Sequence, residues 1–147
     1  MNRAHDVTIL LVEDDPGHGR LIEKNLRRSS ITNDIVTATN GQVALDYLYG
    51  EGDYAGNERV STLLALLDLN LPVLDGYQVL ERVKADDRTK RIPAVVLTTT
   101  DDPREVSRCY DLGCCVYVTK PVDYPQFAEA IRRLGLFLSI VTVSNGE

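Results

Sequence analysis

The stretch LALLDLNLPVLDG, Leu64 to Gly76, decides how the chain is read. It belongs to an apolar run, Leu63-Leu64-Ala65-Leu66-Leu67, that ends on one carboxylate, Asp68, with Asn70 and Pro72 close behind. An unbroken apolar run bounded by turn-forming residues is the pattern of a strand covered on both faces, as in a parallel sheet. A strand fit for burial that ends on a single acid raises the question of what the acid does.

Working outward, the same alternation recurs. VTILLV (Val7 to Val12) reads as a first strand, DIVTA (Asp34 to Ala38) as a second, PAVVLT (Pro93 to Thr98) as a fourth and Cys114 to Val118 as a fifth. Amphipathic stretches lie between them. Asp15-Pro16 reads as an N-cap with proline at the first helical position, opening a helix to about Ser29 with Leu21, Ile22 and Leu26 on one face. Asn40 caps a second helix carrying Val43, Ala44, Leu45 and Leu48. Asp75 and Gln78 form a capping box for a third, with Val79, Leu80 and Val83 inward. Asp102 and Glu105 suggest another capping box, again with proline at the first position. Asp123 caps a last helix carrying Phe127, Ile131 and Leu134. Residues 50–61, rich in glycine and charge, read as a surface loop. Five strands alternating with five helices give an α/β fold with a doubly wound, five-stranded parallel sheet.

The bulk numbers fit one domain. The chain has 147 residues, 44% apolar and 26% charged, a normal globular composition with room for a core. Its 16 basic against 22 acidic residues leave a net charge of -6, which argues against nucleic acid as a partner, because phosphate neutralisation needs basic surface. No signal-peptide layout opens the chain. The apolar run Leu134 to Val143 is about half a membrane span. A cytoplasmic protein without a membrane partner is expected. Three cysteines, Cys109, Cys114 and Cys115, odd in number with two adjacent, do not suit a disulfide framework or a zinc site; they read as small buried hydrophobes, with a redox role for Cys114-Cys115 as the alternative.

In an open parallel sheet, function gathers beyond the carboxyl ends of the strands. Glu13, Asp14 and Asp15 follow the first strand, and Asp68 and Asn70 the third. The fourth ends at Thr98 and the fifth is followed by Thr119, Lys120 and Pro121. Asp15 alone is explained as a helix cap. Glu13, Asp14 and Asp68 would repel one another, by roughly 1 kcal/mol per pair at about 4 Å in water and about 4 kcal/mol at a protein surface. A cation must offset that, and Mg²⁺ suits oxygen ligands. A metal, the Lys120 ammonium, the Thr98 hydroxyl and the Asp68 carboxylate make a kit for phosphoryl transfer, with Asp68 as nucleophile.

With LLVEDDP, LLDLNLPVLDG, VVLTTT and YVTKP in this order, the chain resembles the receiver domain of two-component response regulators over about residues 7–134. The resemblance implies a flavodoxin-like (βα)5 fold. It implies that Asp68 accepts phosphate from a phosphohistidine on a sensor histidine kinase. Glu13, Asp14, Asp68 and the Asn70 carbonyl would hold Mg²⁺. Lys120 would contact the phosphoryl group, and Thr98 with Tyr117 would form the switch pair. Such a protein is a signalling phosphoacceptor with at most slow self-catalysed chemistry, not an enzyme.

Nothing after the last helix reads as a DNA-binding output domain, so a single-domain regulator is expected. The 50–61 loop and the tail RRLGLFLSIVTV resemble small regulators paired with bacterial phytochrome-type kinases. The tail carries more apolar residues than one helical stripe buries, so residues 135–147 are expected to form an extension that makes a homodimer with the last helix. Three other readings compete. A haloacid dehalogenase-type phosphatase has its nucleophile before its acid pair and an acid where this chain has Asn70. A nucleotide carrier needs a glycine- or hydroxyl-rich cradle where EDDPGH stands. A degenerate receiver, binding partners without phosphorylation, would not need the intact set of Glu13, Asp14, Asp68, Thr98 and Lys120.

Overall fold

The computed structural model describes residues 8–28, 34–56, 63–69, 71, 73–98, 102–114 and 116–119. The elements run β1 (Thr8–Val12), α1 (Pro16–Arg28), β2 (Ile35–Ala38), α2 (Gly41–Tyr49), a 3-10 turn (Gly52–Tyr54), β3 (Leu63–Asp68), α3 (Gly76–Ala85), β4 (Ala94–Thr98), α4 (Pro103–Asp111) and β5 (Val116–Thr119). Among the described residues one parallel five-stranded sheet forms, in the order β2-β1-β3-β4-β5. The last helix expected from Asp123, and the tail beyond it, lie outside the described residues.

The unbroken apolar strands are explained by their two covered faces. Leu10, Val12, Ala65, Leu67 and Val96 pack with Ala44, Leu45 and Leu48 of α2 and Val79, Leu80 and Val83 of α3. Their neighbours Ile9, Leu11, Leu64, Leu66, Val95 and Leu97 pack with Ile22 and Leu26 of α1. Successive side chains on a strand point to opposite faces, so a sheet with helices on both sides needs apolar residues at every position. No helix among the described residues is long and apolar enough to cross a membrane.

The caps act largely as their sequences suggest. Asp15 Oδ1 accepts from Gly17 N at 2.8 Å and His18 N at 3.1 Å, fixing the start of α1. Asn40 accepts from Val43 N, and Gly50 closes α2 in the left-handed region. Asp75 and Gln78 form the reciprocal capping box. At α4, Asp102 accepts from Arg104 N. The Glu105 carboxylate, expected to complete a second box, instead accepts the Tyr77 hydroxyl from α3. Arg108 of α4 lies 3.9 Å from the centroid of the Tyr77 ring. Burial, and then the bond to a carboxylate, push the Tyr77 phenol well above its ordinary value. Two short helices are thus tied by one tyrosine.

Strand starts differ from the sequence pattern for local reasons. Pro93 has no N–H to give, so β4 begins at Ala94. Cys114 N–H donates to Cys109 O at the end of α4, so β5 begins only at Val116. Cys109 and Cys114 are buried thiols within the core, as their composition suggests. Burial pushes the Cys109 thiol up, which keeps it protonated. Cys115 lies outside the described residues.

Candidate functional site

Parallel register builds the site. Val12 of β1 pairs with Leu67 of β3, so the next residues, Glu13 and Asp68, leave neighbouring strands at the same level. Asp14 follows at once. One carboxylate oxygen from each of Glu13, Asp14 and Asp68 lies within 4.8 Å of the other two. Glu13 is 3% and Asp68 6% exposed, while Asp14 is exposed. The three acids gather at the carboxyl edge of the sheet, where an open α/β fold presents its ligands.

Asp15 is not part of this cluster. Its carboxylate caps α1, and its N–H donates to Glu13 Oε2 at 3.2 Å. His18 lies beside the cluster on α1. It is an exposed first-turn residue whose Nδ1 stands 4.0 Å from Glu13 Oε2 and 3.9 Å from Asp15 Oδ2. The i,i+3 spacing from Asp15 was the available signal for that approach.

The arrangement fits a hard divalent cation. Two buried carboxylates and a third at the mouth bring three negative charges together, at a cost of about 1 to 4 kcal/mol per pair depending on local dielectric. An all-oxygen donor set suits Mg²⁺, Mn²⁺ or Ca²⁺ rather than a thiolate- or imidazole-seeking metal. The open side at Asp14 leaves room for the waters such an ion keeps.

The other sequence candidates are placed only in part. Tyr117 on β5 pairs with Val96 and its half-buried ring packs against the core on the α2 and α3 side. Thr98 ends β4, paired with Thr119, and its side chain lies outside the description. Asn70 and Lys120 lie outside the described residues.

Gly76 holds the loop after Asp68 close to the strand end. Its N–H donates to Leu69 O at 2.9 Å. A Cβ at Gly76 would sit 2.5 Å from Asp68 O and 2.6 Å from Leu69 Cα. Only glycine lets α3 start this near the backbone of Asp68 and Leu69.

Comparison with known proteins agrees with this geometry. The pattern of the response regulator receiver domain matches residues 9–132. The chain is 40% identical over 136 residues to response regulator Rcp1 from Synechocystis, covering 92% of this chain and 91% of that one. A crystal structure of a response regulator receiver domain from Rhodospirillum rubrum is 56% identical, with a TM-score of 0.77 over 90% of this chain and 94% of that one. The phosphorylated cyanobacterial phytochrome response regulator RcpA is 39% identical, with a TM-score of 0.78 over 89% and 92%. A Mn²⁺-bound form of a response regulator Rcp1 is 35% identical, with a TM-score of 0.76 over 86% and 90%. A buried acid at the tip of the central strand, an acid pair beside it, the sheet order and these likenesses agree on one conclusion: the chain belongs to the response regulator receiver domains, the signalling modules of two-component systems.

Proposed function

We propose that Asp68 is the phosphoacceptor of this receiver and takes its phosphoryl group from a phosphohistidine. The observation that carries the reading is the convergence of Glu13, Asp14 and Asp68 at the ends of adjacent strands, with two of the three buried. An Asp68 oxygen attacks phosphorus, the phosphorus–nitrogen bond breaks, and the departing imidazole keeps the electron pair and takes up a proton. The product is an acyl phosphate on Asp68. Glu13 and Asp14, with Asp68 and the Asn70 carbonyl, would hold Mg²⁺, which neutralises charge on the phosphoryl oxygens when bound. Lys120 supplies a second positive charge and Thr98 a hydroxyl donor. Thr98 and Tyr117 then act as the switch pair, Thr98 moving toward the phosphate and Tyr117 rotating inward. A small donor with the same type of bond, phosphoramidate, tests the reading. Uptake should require a divalent cation and stop on chelation; uptake unaffected by chelation would sink the metal assignment.

Mg²⁺ should also stabilise the fold. Binding to the native state alone adds about 2.7 kcal/mol at a hundred times the dissociation constant, read as a rise in Tm. Asp14→Asn should remove most of that rise while raising the Tm of the metal-free protein, because one of three clustered charges is gone. A wild-type Tm indifferent to Mg²⁺ would contradict the assignment.

The partner we infer is a histidine kinase of the bacterial phytochrome type, supported by the likeness to a phytochrome response regulator. The receiver works in the cytoplasm as a signalling phosphoacceptor, without sustained turnover of phosphate esters. The apolar tail, Leu134 to Val143, makes a homodimer with the last helix. Light scattering across a dilution series should give a mass of two chains that falls toward one on dilution. One chain's mass at every concentration would end the dimer proposal.

A further inference from the structure

Val73 stands out in the loop between β3 and α3. It is the one non-glycine residue with positive φ among the described residues, at 70°, and it is 74% exposed. A β-branched side chain is strained in the left-handed region. An exposed apolar side chain there contributes nothing to the core. Glycine or asparagine would meet the backbone demand without strain.

Described neighbours on both sides of Val73 are anchored. Leu71 is buried and donates its N–H to Leu69 O at 3.1 Å. On the other side, the Leu74 carbonyl presses on Gly41 of α2, where a Cβ would lie only 2.2 Å away. Gly76 N–H is tied to Leu69 O. Val73 is therefore held up from the surface between two anchors, five residues past Asp68.

We propose that Val73 is an apolar contact for the protein that delivers the phosphoryl group, the phosphohistidine-bearing domain of the donor kinase. The inference rests on Asp68 being the phosphoacceptor. Asp68 is only 6% exposed, so a donor side chain that reaches it brings the donor's surface down on the loops framing the carboxyl edge. Val73 projects from one of those loops. Among the described residues the rim beside it is acidic, with Asp14 and Asp15 exposed, and those two charges do not attract a phosphorylated donor. An apolar knob supplies contact that does not depend on charge. A partner that reads the phosphorylated state elsewhere on the molecule would have no need of it.

The test compares Val73→Gly and Val73→Ile with wild type, using two donors. One is phosphoramidate. The other is an autophosphorylated bacterial-phytochrome kinase core that phosphorylates the wild-type chain. Val73→Gly should raise Tm by about 3 °C by relieving strain. It should keep phosphoramidate uptake within about twofold and lose about tenfold in transfer from the kinase, the loss expected for one buried valine contact. Val73→Ile, still apolar and branched, should keep the kinase rate. Kinase transfer to Val73→Gly at the wild-type rate would overturn the proposal. So would an equal loss with both donors, which would place the effect on the site rather than on the donor. Failure of the wild type to take phosphate from phosphoramidate would instead strike the phosphoacceptor reading beneath it.

Discussion

Asp68→Asn should abolish phosphoryl uptake from any donor, to below detection. The amide has nearly the shape of the carboxylate, so the strand tip and the fold should persist. What disappears is the anionic oxygen that attacks phosphorus. The variant should also be more stable than wild type without metal, because Asp68 is 6% exposed and shares its surroundings with two other carboxylates. Asp14→Asn is the instructive contrast. It removes a proposed metal ligand but keeps the proposed nucleophile, so uptake should slow by about a hundredfold rather than vanish, several kcal/mol of charge stabilisation being at stake. Rates read by quenched-flow labelling separate the two. Equal, complete loss in both would deny Asp68 a distinct role, and retained uptake in Asp68→Asn would put the acceptor elsewhere.

Gly76→Ala should destabilise the chain by about 2 to 3 kcal/mol. The added carbon would meet Asp68 O at 2.5 Å and Leu69 Cα at 2.6 Å, both backbone, so no rotamer change can make room. The start of α3 must move away from β3, and the Gly76 to Leu69 hydrogen bond goes with it. Because the displaced atoms belong to Asp68, the proposed phosphoacceptor, phosphoryl uptake should fall in the same variant. Gly19→Ala gives the opposite sign. Its Cβ would meet nothing nearer than Glu13 Cγ at 3.9 Å, and alanine inside a helix is worth about 0.5 to 1 kcal/mol over glycine. Urea midpoints for the two variants, one lowered and one raised, check the packing. A Gly76→Ala midpoint equal to wild type would mean that α3 does not approach the strand end as described.

The acidic cluster was legible because parallel strands turn sequence into geometry. Once VTILLV and LLALLD are taken as neighbouring buried strands, the residues that follow them surface together, and Glu13, Asp14 and Asp68 meet. The helix faces were legible from their period, with Val79, Leu80 and Val83 inward as written. What failed to show in the sequence were competitions between distant groups. Asp102 and Glu105 have the spacing of a capping box, but a tyrosine 28 residues earlier takes the Glu105 carboxylate. Cys114 has the composition of a strand residue, yet its N–H is used by the last turn of α4. The left-handed backbone at Val73 is concealed by a residue type that avoids it, since PVLDG reads as a turn without saying which residue bears the strain. Asn70, Lys120, the last helix and the tail lie outside the described residues, and their roles rest on the motifs alone.

The most direct test of the account is the intact mass of the wild-type protein after incubation with Mg²⁺ and phosphoramidate, followed by peptide mapping. The expected result is one added phosphoryl group, carried by the peptide that contains Asp68 and lost when Mg²⁺ is withheld. No added mass, or a phosphoryl group on a peptide without Asp68, would contradict it.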